Sequence, residues 1–207
     1  VHKGGGVGKS AADVLDDLAN QPGIHVERIS AQQILNDKLT EFDVVVFPGG
    51  SGSKQAKSLT SAGRENIRTF VANGGGFVGI CGGAYLASAD YDWSLNILDA
   101  KVIDKKHWAR GFGNVELTTK NICRERLSLN SNQTDVYYHQ GPLMAPANKS
   151  DIDDYDEWAS FATEVQKKGV PGGIMPGTTA IAAGRFGFGR VLAISPHFEL
   201  TEGLNSV

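Results

Sequence analysis

Apolar residues follow two alternating patterns along the first half of the chain. The stretches "DVVVFPGG" (43–50) and "GFVGI" (76–80) are continuous apolar runs bounded by glycine or cysteine, which is typical of buried parallel strands. Between them, residues 61–76 carry apolar side chains at helical spacing and end in three glycines, a strong signal for a helix C-terminus. This alternation predicts an α/β fold with a mostly parallel central sheet flanked by helices, of the flavodoxin-like type.

The same criteria assign the rest of the chain. Further helices are predicted from Ser10 to the stop at Gly23, over 31–42, from Cys81 to Asp90, and over 151–169 after an acidic start. Further strands are predicted at 24–29, 100–107, 113–119 and 134–142, with a β-hairpin over 178–199. We find no convincing helix between about Leu95 and Gln140, so we expect an added antiparallel β segment. Without a linker or a shift in composition, residues 1–207 are predicted to form a single domain.

Composition narrows the function classes. A net charge of −3 gives no electrostatic reason to expect nucleic acid or a membrane surface as a partner. No apolar run approaches the about 20 residues of a membrane span. We see no ligand cluster for a metal and expect no cofactor. The lack of a recognisable signal peptide favours a cytoplasmic location, although a processed N-terminal segment before the early glycines stays open.

The opening stretch "KGGGVGKS" resembles a phosphate-binding loop. That motif is G-x-x-x-x-G-K-[ST], and counting back from Gly8, Lys9 and Ser10 puts Lys3 where its first glycine belongs. We therefore interpret the stretch as a glycine-rich turn after the first strand. Gly5 and Gly6 are candidates for a wall of the substrate pocket, because free amides at such a turn can bind an anionic group.

The most informative motif is Gly79-Ile80-Cys81-Gly82-Gly83, between a predicted strand and a predicted helix. Small residues around a nucleophile permit the sharp turn of a nucleophile elbow, and the Gly82 amide would face an oxyanion formed there. His197 and Glu199, in "SPHFE", supply a base and a carboxylate that could orient it, since residues two apart in a strand share a face. Cys123 lacks such a setting and is interpreted as structural.

"FPGG", "GICGGAYLAS" and "SPHFE", in this order, resemble the class I glutamine amidotransferase-like fold. With "YYHQGP", "AAGRFGFGRVLAISPHFE" and "KGGGVGKS", the chain is more narrowly similar to the biotin-protein ligase N-terminal family. The resemblance implies Cys81 as nucleophile, His197 as general base and acid, and Glu199 as its partner. The remaining implied residues are the oxyanion donors and the pocket wall: Gly50 with Gly82, and Gly49, Tyr138, His139 and Gln140.

The implied reaction is thiolate attack on a carboxamide or related acyl group of a small molecule, through a thioester that water resolves. A cysteine amidase or glutaminase-like hydrolase is therefore favoured. The alternative is a catalytically silent ligand-binding or regulatory module of the same fold. A homo-oligomer is left open by the sequence. The acidic residues at 151–157 lack the spacing of a calcium loop and are interpreted as a solvated helix start.

Overall fold

The computed structural model describes residues 1–9, 14, 16 and 18–202. Strands in this part of the chain are β1 (Val44–Phe47), β2 (Gly76–Ile80), β3 (Ala100–Ile103), β4 (Phe112–Thr119), β5 (Gln133–His139), β6 (Leu143–Pro146), β7 (Asp156–Phe161), β8 (Thr179–Phe186) and β9 (Gly189–Ile194). Helices with defined bounds are α1 (Ala31–Leu35), α2 (Gly52–Ala72), α3 (Gly82–Ala87) and α4 (Asn121–Arg126), with 3-10 turns at Lys38–Glu41, Lys105–His107 and Phe198–Leu200. The N-terminal part of the helix predicted from Ser10 lies outside the described residues.

The strands form one mixed sheet in the order β1-β2-β9-β8-β7-β4-β5, to which β6 attaches at β8 and β3 at β6. Among the described strands, parallel pairing is confined to β1–β2 and β2–β9, and the other pairs are antiparallel. The prediction of a mostly parallel sheet is therefore wrong, although the α/β class and the antiparallel segment are confirmed. Two strands joined by a tight turn can pair only in antiparallel fashion, as β8 and β9 do.

Helices cover one face of the parallel part of the sheet. Helix α2 packs Leu59, Ile67 and Val71 against the β1 residues Val45 and Phe47, in a core from which water is excluded. Burial of each such side chain stabilises the fold by about 1.5–3 kcal/mol. Helix α2 is kinked at Thr60 (φ 62°, ψ 179°), so the predicted start at Ser61 coincides with the start of its second segment, whereas the first segment, capped by Ser51, was not predicted. The prediction of a sheet flanked by helices is only partly met, because the part of the chain that the structure describes contains few helices.

The opposite face of the parallel strands is more open. Val46 and Val78 contact Val14 and Leu18 there. A cavity of about 630 Å³ also opens on this face and reaches Glu199 at its edge.

The antiparallel part of the sheet has its own core. Val115 and Leu117 of β4, Val136 and Tyr138 of β5, and Phe161 of β7 are all at most 1 % exposed and pack together. Alternate residues of β4 and β5 point to the other face, so Phe112 and His139 are exposed. This alternation gives the β4–β5 ribbon one face for packing and one free face.

Several predicted elements need correction. The helix predicted over 151–169 is wrong, because residues 156–161 form strand β7. The strand predicted at 24–29 is wrong as well, since only Ile29 pairs there, through a bridge to His2. Helix α4 and strand β6 were not predicted. The strands at 43–50 and 76–80 and the hairpin over 178–199 are confirmed.

Within the described residues, no helix combines the length and the apolar character needed to cross a membrane. In the same part of the chain, no group of three or more His, Cys, Asp or Glu side chains is arranged to hold a metal ion.

Candidate active site

Cys81 occupies the turn between β2 and α3. Its backbone has φ 49° and ψ −97°, in the left-handed half of conformational space that costs a side-chain-bearing residue energy. The Cys81 N–H donates to the Ile194 carbonyl (2.8 Å), and the Cys81 carbonyl accepts from the Tyr85 N–H (3.1 Å). The strained turn is therefore held between the end of β9 and the first turn of α3.

Close backbone packing explains the glycines around Cys81. A Cβ on Gly83 would lie 2.1 Å from the Phe47 carbonyl oxygen, and one on Gly79 would lie 2.4 Å from the Gly83 carbonyl oxygen. Both distances are far inside van der Waals contact, so no side chain fits at either position. The glycines of the motif thus let β1, β2 and α3 approach closely enough to form the elbow.

The predicted oxyanion donors are adjacent in the structure. Gly50, with φ +132°, packs against Gly82, whose Cβ would lie 2.5 Å from the Gly50 carbonyl oxygen. Within the described part of the chain, neither the Gly50 nor the Gly82 amide takes part in a backbone hydrogen bond outside regular elements. Gly82 directly follows Cys81, which is where an elbow presents an oxyanion donor.

The opening glycines support this region from behind. The Gly6 carbonyl accepts the Ser51 N–H (2.7 Å), and the Gly49 carbonyl accepts the Gly8 N–H (2.7 Å). Gly6 also packs on the start of α2, and Gly5 is exposed beside Ser58. These contacts hold the backbone of Gly49 and Gly50 in place. The glycine loop therefore supports the turn at Gly50.

His197 and Glu199 come together just after β9. The His197 Nδ1 lies 2.6 Å from Glu199 Oε1, and both side chains are 6 % exposed. The sequence predicts that His197 and Glu199 meet because they share one face of a strand. Instead, Phe198–Leu200 forms a 3-10 turn, and His197 precedes this turn in extended conformation. Phe198 points into the antiparallel core, so the turn separates it from the polar pair.

The electrostatic setting of His197 favours its protonated form. Burial alone would lower the pKa of His197, but hydrogen bonds and negative charge from Cys81 and Glu199 outweigh burial and raise this pKa to about 10. Because Nδ1 lies against Glu199, Nε2 is the ring nitrogen that can exchange a proton with another group.

The Cys81 sulfur has a second neighbour. Sγ lies 3.4 Å from the His139 carbonyl oxygen, to which a neutral thiol donates. This contact places the end of β5 directly beside the Cys81 sulfur.

The predicted wall "YYHQGP" divides into buried and exposed parts. The Tyr138 side chain is 1 % exposed, lies in the antiparallel core and donates from its hydroxyl to the Gly141 carbonyl (2.8 Å). His139 is exposed beside His197. Gln140, at φ +60°, accepts the Tyr85 hydroxyl on its carbonyl (3.2 Å). His139 and Gln140 therefore lie over the elbow, and Tyr138 supports them from the core.

Two residues of this region were missed by the sequence reasoning. The Tyr137 carbonyl accepts the His197 N–H (2.8 Å), and its ring centroid lies 6.4 Å from that of His197. Phe112 is 67 % exposed, with its ring 5.3 Å from that of His139. The signal available was the two-residue period of β5, which puts Tyr137 on the same face as His139.

Cys123 lies in α4 and is fully buried in the antiparallel core. Burial raises the pKa of its thiol to about 11, against a smaller lowering by Arg124. A buried neutral thiol is a poor nucleophile, so the two cysteines occupy very different environments.

The family model described as biotin-protein ligase, N terminal, matches residues 1–110. This range includes the Cys81 elbow and ends before His197 and Glu199. No curated protein matches the sequence.

Solved structures match over nearly the whole chain. A chain in the structure of PurLQS from Thermotoga maritima has a TM-score of 0.66 at 16 % identity, covering 96 % of this chain and 85 % of that one. A ThuA-like protein from Bacteroides uniformis has a TM-score of 0.60 at 17 % identity, covering 96 % and 79 %. A cytoplasmic protein from Salmonella typhimurium has a TM-score of 0.59 at 14 % identity, covering 95 % and 82 %. At such identities the similarity shows the fold alone.

Proposed function

Because the chain belongs to the biotin-protein ligase N-terminal family and has the class I glutamine amidotransferase-like fold, we propose that it is a cysteine-dependent amidase. In this proposal Cys81 attacks the carbonyl carbon of a small carboxamide or related acyl compound. The family description names a ligase, but a nucleotide-dependent ligation is not part of the proposal, because "KGGGVGKS" is one residue short of a phosphate loop.

One observation carries the proposal. The His197 Nδ1 lies 2.6 Å from Glu199; burial lowers the pKa of His197, but Cys81 and Glu199 together raise it to about 10, and Cys81 itself lies on a strained, glycine-bracketed turn. Covalent acyl transfer needs a nucleophile, a base and a carboxylate that orients the base. A cysteine with only a structural role needs neither a strained turn nor a buried histidine–carboxylate pair.

The first half of the reaction forms a thioester. Because the pKa of His197 is about 10, its imidazole already carries the proton at neutral pH, and Cys81 attacks as the thiolate. The thiolate adds to the carbonyl carbon, whose oxygen becomes an oxyanion held by the Gly50 and Gly82 amides. His197 then gives its proton to the amide nitrogen. The C–N bond breaks, ammonia leaves, and the acyl group remains on Cys81.

The second half regenerates the thiolate. His197 takes a proton from water, and the resulting hydroxide adds to the thioester carbonyl. The C–S bond breaks, the carboxylic acid leaves, and the proton stays on His197 beside the regenerated thiolate. Throughout, Glu199 holds Nδ1 protonated, so that Nε2 alone exchanges protons.

A ligand-binding module without turnover is the second candidate. This candidate is favoured by the burial of the Cys81 thiol, since Cys81 is 6 % exposed and its sulfur contacts the His139 carbonyl. The two candidates predict different effects of a Cys81→Ala substitution. A binding module keeps its ligand-induced stabilisation in a Cys81→Ala variant and shows no turnover in the wild-type protein.

The test is release of ammonia from a panel of small primary amides, glutamine included. We expect turnover by the wild-type protein and a loss of about 10⁴-fold or more in Cys81→Ala. Cys123→Ala is the matched control, because it removes the other thiol, and it should keep the wild-type rate. Equal activity in wild type and Cys81→Ala would exclude the proposed mechanism.

A further inference from the structure

The free face of the β4–β5 ribbon carries three aromatic side chains next to the catalytic candidates. Phe112 and His139 are paired directly across the two strands, and Tyr137 shares the His139 face of β5 by the two-residue period. We call Phe112, Tyr137 and His139 the aromatic strip. Their neighbours Tyr138 and Val136 point the other way, into the core. The strip is thus separate from the packing of the fold.

The rings of the strip form a continuous path to His197. Ring centroids are 5.3 Å apart for Phe112 and His139, and 6.2 Å apart for Tyr137 and His139. His197 lies 6.5 Å from His139 and 6.4 Å from Tyr137 by the same measure. All four spacings fall within the range of aromatic pairs. A molecule that reaches Cys81 past His139 therefore passes over this surface.

The strip is apolar and exposed at its outer end. Phe112 is 67 % exposed, which leaves most of its ring without protein contacts. The pKa of His139 is lowered, first by its burial and then by the nearby His197, so its imidazole is neutral at pH 7. At this point the Phe112 ring offers a substrate an exposed, uncharged aromatic face, and the His139 ring is tilted by 46° to it.

Phe188 provides an internal comparison. It is 86 % exposed at the turn between β8 and β9, where its N–H donates to the Ala72 carbonyl. No aromatic pairing connects Phe188 to another ring among the described residues. Exposure of a phenylalanine is therefore not what distinguishes Phe112; its connection to His197 through His139 is.

Resting on the proposed amidase function, we propose that the aromatic strip binds the acyl portion of the substrate and that Phe112 is its specificity-determining residue. The substrate class is then primary carboxamides with an aromatic or other flat, unsaturated ring beside the amide carbonyl. Such a ring stacks on the exposed face of Phe112 and meets the tilted His139 ring with its edge, while its carboxamide points toward Cys81. Saturated rings of the same size lose this stacking because they cannot lie flat on Phe112.

The experiment compares benzamide with cyclohexanecarboxamide, which have the same carbon skeleton and differ in planarity. We expect a KM about tenfold lower for benzamide in the wild-type protein. Phe112→Ala should raise KM for benzamide by about three- to tenfold, with a smaller effect on kcat and on the saturated amide. Phe112→Tyr should restore the preference, and Phe188→Ala should match the wild type. Equal KM values for the two amides, or equal effects of Phe112→Ala and Phe188→Ala, would overturn the proposal.

A binding measurement separates this inference from the proposed chemistry. Calorimetric titration of Cys81→Ala with each amide needs no turnover. If the protein hydrolyses amides but neither prefers nor preferentially binds the planar ring, the amidase proposal stands and the proposal for the aromatic strip is wrong. If benzamide binds preferentially, Phe112→Ala abolishes that preference and no amide is hydrolysed, the proposal for the strip stands and the amidase proposal is wrong.

Discussion

The parallel and antiparallel ends of the sheet contribute to the candidate site in different ways. At the parallel end, Cys81 is fixed by backbone packing, with Gly83 against Phe47 and Gly82 against Gly50. At the antiparallel end, side chains on the free face of β5 form the wall. Backbone packing tolerates almost no substitution, whereas exposed side chains can be exchanged without unfolding. In the proposed reaction, the fold would therefore set the position of Cys81, and the wall would set the choice of substrate.

The two ends meet at the carboxyl end of β9. A Cβ on Gly141 would lie 2.1 Å from the Ser195 carbonyl oxygen, so the turn after β5 lies directly on the residues that follow β9. The His197 N–H donates to the Tyr137 carbonyl (2.8 Å) across the same junction. This contact holds His197 beside the aromatic strip.

The largest expected effect comes from the backbone packing at the parallel end. Gly83→Ala would place a Cβ 2.1 Å from the Phe47 carbonyl oxygen, and we expect loss of about 4 kcal/mol or more in the free energy of unfolding. Gly63→Ala is the matched control, because its Cβ would meet only ordinary contacts at 3.4 Å or more inside α2. That variant should stabilise the protein by up to about 1 kcal/mol. Urea denaturation of both variants tests this, and an unaffected Gly83→Ala would disprove the packing argument.

Removal of the charge that orients His197 should affect chemistry more than folding. Glu199→Gln keeps the shape of the side chain but no longer holds Nδ1 as a donor, and we expect kcat to fall by about 10³- to 10⁴-fold. The measurement is ammonia release together with the urea midpoint. Wild-type kcat in a folded Glu199→Gln variant would show that Glu199 does not act on His197.

A substitution in the core of the antiparallel end should lower the stability of the protein without changing the reactivity of Cys81. Phe161 is 1 % exposed and packs edge-on against Tyr138, so Phe161→Ala should lower the free energy of unfolding by about 3–5 kcal/mol. At a temperature where the variant stays folded, kcat should stay within about threefold of the wild type. A selective loss of kcat would mean that the antiparallel core positions Cys81, which would contradict the assignment of that role to the parallel end.

The smallest predicted effect is a pH dependence of stability. The pKa of His197 is about 10 in the folded protein, above the ordinary histidine value of about 6.5 in an unfolded chain, so protonated His197 stabilises the folded state. This contribution is complete below about pH 6.5 and is lost as the pH rises towards about 10. Between these values we expect the free energy of unfolding to fall, and by about 1 kcal/mol more in the wild type than in Glu199→Gln. Parallel slopes in urea titrations of the two proteins would contradict the assigned pKa.

Local patterns were sufficient to predict the parallel end. The elbow depends on glycines next to Cys81 in the sequence, and the strands before and after α2 are continuous apolar runs. The pairing of His197 with Glu199 was expected for the wrong reason, since a 3-10 turn and not a strand brings the side chains together. The order H-x-E allowed both geometries, so the sequence could not distinguish them.

The antiparallel end was harder to predict because its signals depend on distant partners. Strand β7 contains register shifts between Glu157 and Ser160, which interrupt the alternation that marks a strand, and its acidic approach resembles a helix start. The wall residue Phe112 follows a glycine and is exposed, so no local rule connects it to His139. That connection arises only from the pairing of β4 with β5.

The central claim, that His197 and Glu199 activate Cys81, is tested most directly by alkylation of the two cysteines. Iodoacetamide is applied to the folded protein at pH 7, and the modified residue is identified by mass spectrometry. We predict that Cys81 is alkylated at least about 100-fold faster than Cys123, whose buried thiol has a pKa of about 11, and that His197→Gln removes most of this difference. Preferential labelling of Cys123, or a Cys81 rate that His197→Gln does not change, would contradict the account.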